Sequence, residues 1–277
     1  MTKNQISLSM IMVMSSFTLL AQNNTVTPPS TNPQTQPAVA PAQPQGNHED
    51  TEVHEPLPRV VSPGKIFSDA PSDALILFNG KNLDQWETSR ERTAPAWLVS
   101  EGITTLTKDG RGAIQTKRAF RNYQMHVEYR IPTDITGEGQ NRGNSGIFLA
   151  STGGGDAGYE MQILENYDNE NKTYVNGMNA SLYKQFAPLA NPERKPGEWN
   201  VFDIAWTAPT FNEDGTMKTP AKATVLLNGV LVHNNVVLKG ETLYVGQPVY
   251  KKYDAAPIRI QDHGANLSFR NIWIRDL

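Results

Sequence analysis

The sequence predicts an all-β fold, a two-sheet antiparallel sandwich built from residues 68–277. Three observations predict it. From Ser68 onward helical periodicity is nearly absent. Short runs, apolar or alternating, recur between Gly and Asn turn signals. One of those signals, Asn228-Gly229, is the dipeptide that fits a tight type I′ hairpin. A stretch of this length is ample for a well-buried core. The chain has no cysteine. The sandwich must therefore hold by packing alone, and thiolate metal sites and a cysteine nucleophile are excluded.

The strands follow in chain order. Residues 74–78 are apolar and end at Asn79-Gly80, and 103–106 precede Asp109-Gly110. Over 123–131 the chain alternates, with Val127, Tyr129 and Ile131 on one face and His126, Glu128 and Arg130 on the other. Segments 145–150, 159–165 and 199–207 come next. Then 223–228 and 230–234 flank the hairpin dipeptide, and 258–263 and 267–277 close the chain. Many short strands with such turns favour a sandwich. One long irregular stretch, 166–198, carries Tyr174, Tyr183 and Phe186 and reads as a functional loop.

Ahead of the sandwich, Lys3 is followed by an apolar and small-residue run over 6–21. A positive start and a short apolar stretch predict a secretory signal over 1–21, cut after Ala21. An uncleaved anchor is the alternative; a lipoprotein anchor would need a cysteine. Residues 22–67 are rich in Pro, Gln, Asn and Thr and too poor in apolar groups to offset chain entropy. They read as a disordered linker, partly polyproline. His48 and His54 stand there among Glu49, Asp50, Glu52 and Glu55, a solvated acidic patch rather than a metal site. Net charge is −3, and −3 − 1 = −4 once Lys3 is removed. That sign does not suit nucleic acid. No basic run suits an anionic membrane, and nothing after residue 21 approaches the ~18 apolar residues of a membrane span. The expected location is outside the cytoplasm, periplasmic or extracellular.

The chemistry is concentrated in three segments. In Tyr159-Glu160-Met161-Gln162-Ile163-Leu164-Glu165, strand parity sends Tyr159, Met161 and Ile163 inward and Glu160 and Gln162 to the open face. Glu165 falls on the core side by parity, and a bulge would return it to the open face. In 258–264, Ile258 and Ile260 are core while Arg259, Gln261 and His263 share the other face. In 141–146, Gly143 and Gly146 would bring backbone and short polar groups close to a ligand. Acids, amides, a histidine and arginines on one sheet face suit a polyol. Trp86, Tyr123, Tyr159 and Tyr183 are candidate stackers for a sugar ring. Each residue has a plainer reading. A lone outward Glu is usually solvated, His263 beside Gly264 fits a loop, and Arg270 and Arg275 fit surface ion pairs. The shared sense of alternation in separated segments lifts the set above those readings.

These residues sit inside longer familiar stretches. Leu77-Phe78-Asn79-Gly80-Lys81-Asn82-Leu83-Asp84-Gln85-Trp86 opens the domain, and Gly143-Asn144-Ser145-Gly146-Ile147-Phe148-Leu149 precedes the Glu160 segment. Pro196-Gly197-Glu198-Trp199-Asn200, Leu227-Asn228-Gly229, Pro257-Ile258-Arg259-Ile260-Gln261-Asp262-His263-Gly264 and Phe269-Arg270-Asn271-Ile272 follow. In this order they resemble the 3-keto-disaccharide hydrolase family over nearly all of 70–277. The resemblance implies a concanavalin A-like jelly roll of the lectin and glucanase type, export from a bacterial cell, and cleavage of 3-keto-glycosides. It also implies a glycoside 3-dehydrogenase acting upstream.

A ketone at C3 acidifies the hydrogen at C2. A base removes it, the enolate is held by donors or a cation, the C1 group leaves by β-elimination, and water adds. On the implied chemistry Glu160 and His263 are catalytic, one as base and the other as proton donor to the leaving oxygen. Arg142, Asn144, Gln162, Tyr183, Gln261 and Arg270 bind substrate. The residues establish no cofactor, and a divalent metal could replace the arginine as enolate stabiliser. Two rivals remain. Glu160-x-Gln162-x-x-Glu165 is similar to the Glu-x-Asp-x-x-Glu strand of retaining β-glucanases, where paired carboxylates do the work. Here an amide holds the middle position and cannot share a proton. The other rival is a sugar-binding module without turnover.

Overall fold

The longer strands β6 (Tyr123–Arg130) and β9 (Asn200–Thr207) form where the sequence alternates, and the turn between β12 (Lys222–Leu227) and β13 (Val230–Val237) falls where Asn228 and Gly229 take positive φ. The computed structural model describes residues Glu52 to Leu277. The signal expected over 1–21 and the linker residues 22–51 lie outside the described residues. One packed unit runs from Pro58 to Leu277. It therefore begins ahead of Ser68, where the sequence reading starts the domain. Short polar ties attach the intervening residues: Ser62 N donates to Ser72 Oγ at 3.0 Å, and Ser68 O accepts from Asn271 Nδ2 at 2.8 Å and Trp273 Nε1 at 3.0 Å.

The back sheet is antiparallel and contains β1 (Leu75–Phe78), β3 (Leu98–Ser100), β4 (Ile103–Thr105), β6 (Tyr123–Arg130), β9 (Asn200–Thr207), β12 (Lys222–Leu227), β13 (Val230–Val237) and β15 (Ser268–Asp276). Its order is β13-β12-β9-β6-β15-β4-β3, with β1 also paired to β15. The front sheet has the order β2 (Trp86–Thr88), β5 (Ile114–Thr116), β14 (Arg259–Ile260), β7 (Ser145–Ser151), β8 (Gly158–Ile163), again antiparallel. A small ribbon pairs β10 (Thr210–Phe211) with β11 (Met217–Thr219). This is the two-sheet jelly-roll sandwich predicted above. Asn228 and Gly229 take φ of 53° and 79°, the doubly positive pair that joins β12 to β13 in a two-residue turn.

One core fills the space between the sheets. Met125, Val127 and Tyr129 of β6, Phe202, Ile204 and Trp206 of β9, and Tyr159, Met161 and Ile163 of β8 all face it. Each large apolar side chain buried this way contributes about 1.5–3 kcal/mol. Trp86, Tyr123 and Tyr159, expected as sugar stackers, are buried here instead. Parity is the reason: Tyr123 alternates with Gln124 and Tyr159 with Glu160, so the aromatic partner points inward. Trp86 Nε1 donates to Leu77 O at 2.9 Å and the Tyr123 hydroxyl to Leu149 O at 2.7 Å, which accommodates both polar ends in the interior.

The stretch 166–198 is irregular, with short 3₁₀ turns at Tyr167–Asn169 and Val175–Gly177. Part of it lies along the outer edge of β8. Ala180 N donates to Gln162 O at 2.9 Å, Gln162 N to Ser181 O at 2.9 Å and Tyr183 N to Glu160 O at 3.0 Å. The pairing covers an edge that would otherwise expose unpaired backbone. It also fixes Tyr183 beside Glu160.

Candidate active site

The outer face of the front sheet carries the polar residues in register. Glu160 of β8 pairs with Phe148 of β7, Phe148 with Arg259 of β14, Arg259 with Gln115 of β5, and Gln115 with Glu87 of β2. These five side chains form one row across the sheet. In the next row Gln162 faces Gly146. Gln261 joins that row beyond the end of β14, because its N–H donates to Gly146 O at 2.8 Å and its carbonyl accepts from Ser145 Oγ at 2.8 Å.

A cleft of about 400 Å³ opens over this face, lined by Gln140, Asn144, Asp156, Glu160, Gln162, Tyr183, Thr242, Tyr244, Gln261 and His263 among others. A larger hollow of about 700 Å³ lies on the back sheet under residues 61–71. Its mainly apolar lining, including Val61, Phe67 and Trp273, brings together no set comparable to Glu160 and His263.

Glu160 is the focus of the cleft. It is 5% exposed. Its carboxyl sits over Gly146, where a Cβ would overlap Oε1 and lie 3.1 Å from Cγ and Cδ. The absence of a side chain at Gly146 is thus what makes room for the acid. Its backbone N–H is tied to Thr242 Oγ1 at 3.0 Å. Burial pushes the carboxyl up to about 8, the Asp156 carboxylate adds to the rise, and Arg259 opposes it. Gln162 Nε2 donates to Asn144 Oδ1 at 3.1 Å and more weakly to Gln140 Oε1 at 3.4 Å, and Asn144 Nδ2 donates to Gln140 O at 2.6 Å. This amide chain stiffens the wall beside Glu160.

His263 stands exposed at the rim. The turn that presents it is pinned by Asp262, whose carboxylate accepts from Gly112 N at 2.8 Å, Gly264 N at 2.9 Å and Arg111 at 3.2 Å. On the opposite wall the Tyr183 hydroxyl bonds the Tyr174 hydroxyl at 2.6 Å, and Tyr244 is 75% exposed. Both Tyr183 and Tyr244 line the cleft, and Tyr244 offers its ring to solvent. Among the described residues, no group of three or more His, Asp or Glu side chains is arranged to hold a metal ion.

Five of the residues selected from sequence as polar site groups therefore share one cleft with Tyr183: Glu160, His263, Asn144, Gln162 and Gln261. Arg142 and Arg270 do not join them. Arg142 ends a 3₁₀ turn, Gly139–Asn141, and its guanidinium folds back to pair with Glu165 and to donate to Ile135 O at 3.3 Å. It lines a separate hollow with Glu138, Glu170 and Lys172. Glu165 follows the end of β8, and no bulge returns it to the Glu160 face; the pair with Arg142 holds it away. Arg270 lies on the back sheet, bonded to Glu128 at 2.6 Å and stacked 4.1 Å over Trp199. It takes the surface ion pair of its plainer reading, not the substrate-binding place the resemblance implies. Sequence reasoning missed Asp156, Thr242 and Tyr244. The run Gly153-Gly154-Gly155 before Asp156 was an available signal for a close-approach turn; Thr242 and Tyr244 had none.

Fold and cleft together define a carbohydrate-active β-sandwich protein. The chain matches the 3-keto-alpha-glucoside-1,2-lyase-like domain over residues 73–275 and belongs to that family. A protein of Parabacteroides distasonis ATCC 8503, provisionally described as a glycosyl hydrolase, is 48% identical across 85% of this chain and 100% of its own, with a TM-score of 0.75. Another of that organism with the same description is 22% identical across 74% of this chain and 99% of its own, at a TM-score of 0.53. The second likeness is one of fold alone. No curated protein sequence matches the chain.

Proposed function

We propose that this protein cleaves 3-keto-glycosides outside the cytoplasm by elimination across C1 and C2 followed by hydration. The observation that carries the reading is Glu160, a buried carboxyl seated over Gly146 in an open polar cleft and held up at about 8. A base of raised pKa is better matched to a weakly acidic C–H than an ordinary carboxylate. The family's description as 1,2-lyase-like and the exported pattern of residues 1–21 support the same reading.

In this mechanism Glu160 takes the C2 hydrogen as a proton, and the bonding pair becomes the enolate of the C3 ketone. The enolate collapses to a C1–C2 double bond as the C1–O bond breaks. His263 at the rim gives a proton to the departing oxygen. Water then adds at C1 and a proton at C2, so the net change is hydrolysis. The Gln261 amide is one donor available to the enolate oxygen, and the Tyr183 hydroxyl is another when Tyr174 donates to it. Arg142 has no part in this, since its guanidinium is engaged by Glu165. The same ion pair weakens the retaining β-glucanase alternative, which needs Glu165 as a second carboxylate facing Glu160. The substrate must first be oxidised at C3, so a glycoside 3-dehydrogenase acts upstream.

The test is turnover of a 3-keto-glucoside in deuterated water. Deuterium should appear at C2 of the product. With C2 deprotonation as the rate-limiting step, kcat/KM should rise with pH through about 8, because the ionised Glu160 is the active form. Glu160→Gln should lower it by about 10²–10⁴-fold. Product without C2 deuterium, or full activity in Glu160→Gln, would overturn the mechanism. Sugar binding without any product would favour a binding module.

A further inference from the structure

Glu160 shares its sheet row with a buried cation. Phe148 of β7 stands beside it, and Arg259 of β14 comes next. Two strand spacings, about 10 Å, separate the backbones of Glu160 and Arg259. The guanidinium shortens that gap, because it lies over the intervening Phe148 ring, 3.8 Å from the centroid. It is not paired with Glu160. Among the described residues its ion-pair partner is Asp156, whose Oδ1 is 3.1 Å from Nη2. Asp156 is delivered by the turn between β7 and β8, just after Gly153-Gly154-Gly155, and lines the Glu160 cleft.

The two partners differ in exposure. The Asp156 side chain is 65% exposed, while Arg259 is 3% exposed. Desolvating a guanidinium is costly, and one solvent-facing partner returns little. The Nε of Arg259 is also buried without an acceptor among the described residues. A methionine of similar length would pack on the Phe148 ring without that cost. The buried charge therefore points to a use beyond packing.

We propose that Asp156 and Arg259 are a positioning pair for Glu160: Asp156 keeps the guanidinium on Phe148 and out of contact with the acid, and the two opposed charges set the proton affinity of the base. This holds on the reading of Glu160 as the base of the elimination. The Asp156 carboxylate favours the protonated acid and the guanidinium favours its anion. A guanidinium in direct contact would hold the carboxylate ionised and leave it a weak base.

The other charged and titratable groups around Glu160 do not duplicate the pair. On the stretch along β8, burial holds the Tyr183 hydroxyl well above its ordinary value, and the Lys184 ammonium stands over the Tyr174 and Tyr244 rings at 4.2 and 5.3 Å. Glu241, next to Thr242, bonds Thr152 at 2.6 Å and Lys251 at 3.3 Å. His263 stands at the rim, and Glu87 ends the row paired with Arg92 at 3.0 Å.

The test follows the Glu160 carboxyl by carbon-13 NMR against pH in the wild-type protein and in Asp156→Asn, Arg259→Met and Arg259→Lys, with Glu160→Gln assigning the signal. Asp156→Asn should lower the midpoint by about one pH unit or more, and Arg259→Met should raise it by a similar amount. Arg259→Lys keeps the charge and should stay within about half a pH unit of the wild type. The inflection of kcat/KM on a 3-keto-glucoside should follow the midpoint in both directions. A pair that only holds the turn in place would not move the midpoint in opposite senses. A midpoint unmoved in Asp156→Asn, or moved the same way by Asp156→Asn and Arg259→Met, would overturn the proposal. Asp156 faces solvent, so Asp156→Asn decides alone should Arg259→Met misfold. Shifted midpoints without turnover of any 3-keto-glucoside are a different result, because they leave the pair standing and remove the elimination reading.

Discussion

The outer faces of the two sheets read alike in sequence and behave oppositely in structure. On the back sheet, β6 sends out His126 and Glu128; on the front sheet, β8 sends out Glu160 and Gln162. The back-sheet pair is matched. His126 Nδ1 bonds Asp203 at 2.7 Å, Glu128 accepts from Arg270 at 2.6 Å and from Asn271 at 2.9 Å, and Trp273 stacks on the imidazole at 5.3 Å. Burial opposes charge on His126, yet the two carboxylates hold it up at about 9; burial likewise opposes charge on Glu128, yet His126, Asn271 and Arg270 hold it down at about 2. In the front cleft no hydrogen bond among the described residues compensates the Glu160 carboxyl, so burial, helped by the Asp156 carboxylate, outweighs Arg259 and sets the direction. One face uses its polar groups to hold the fold. The other ties Gln162 to Asn144 but leaves the Glu160 carboxyl without a hydrogen-bond partner among the described residues, which is what a binding surface needs.

Substitutions on the two faces should separate in sign. The largest effect is expected from His126→Ala, about 3 kcal/mol of stability, near the low end for breaking a buried pair because Glu128 keeps Arg270. Thermal unfolding should fall by roughly 10 °C, with kcat/KM kept within a few-fold. The raised His126 pKa stabilises fully below its ordinary value near 6.5 and fades as pH rises through about 9, so the variant should also flatten that alkaline limb. Retained thermal stability would erase the distinction between the faces.

Gly146→Ala should do the reverse. The added methyl displaces the Glu160 carboxyl, and misplacement on this scale costs about 10²-fold in kcat/KM. The melting temperature should move little. An active Gly146→Ala protein would show that the seat over Gly146 is not needed.

The smallest expected effect is a gain. Glu160 has a folded pKa raised to about 8, so its ionisation costs stability increasingly as pH rises from its ordinary value to about 8. Glu160→Gln removes that cost. The inactive variant should be more stable than the parent at pH 8 and equal to it at pH 4. Denaturant titration at both values measures this, and a loss of stability at pH 8 would place Glu160 with the structural network.

The long strands were legible because alternation shows over six or more residues, as in β6, β8 and β9. Strands β2 and β5 are three residues long and leave no such trace. Yet β5 carries Gln115, which stands in the same sheet row as Arg259 of β14. Within the site, Glu160, Gln162, Gln261 and His263 were legible as outward polar residues next to apolar ones. Arg270, assigned through the resemblance, lies on the other sheet, because a short motif says nothing of which sheet its strand joins. Arg142 failed because a 3₁₀ turn, not a strand, carries it, and its reach to Glu165 crosses a loop.

The sequence by itself determined the strand periods, the Asn228-Gly229 turn and the direction in which each strand residue points. Those properties depend on a residue and its near neighbours along the chain. Only the tertiary structure decided which outward groups found partners. Asp203 and Arg270 reach His126 and Glu128 from strands distant in sequence. Thr242 holds the Glu160 backbone from 82 residues away and no donor reaches the carboxyl. Hydrogen-bond matching is a property of side chains brought together across sheets and loops, and that is where a structural network and a candidate active site part company.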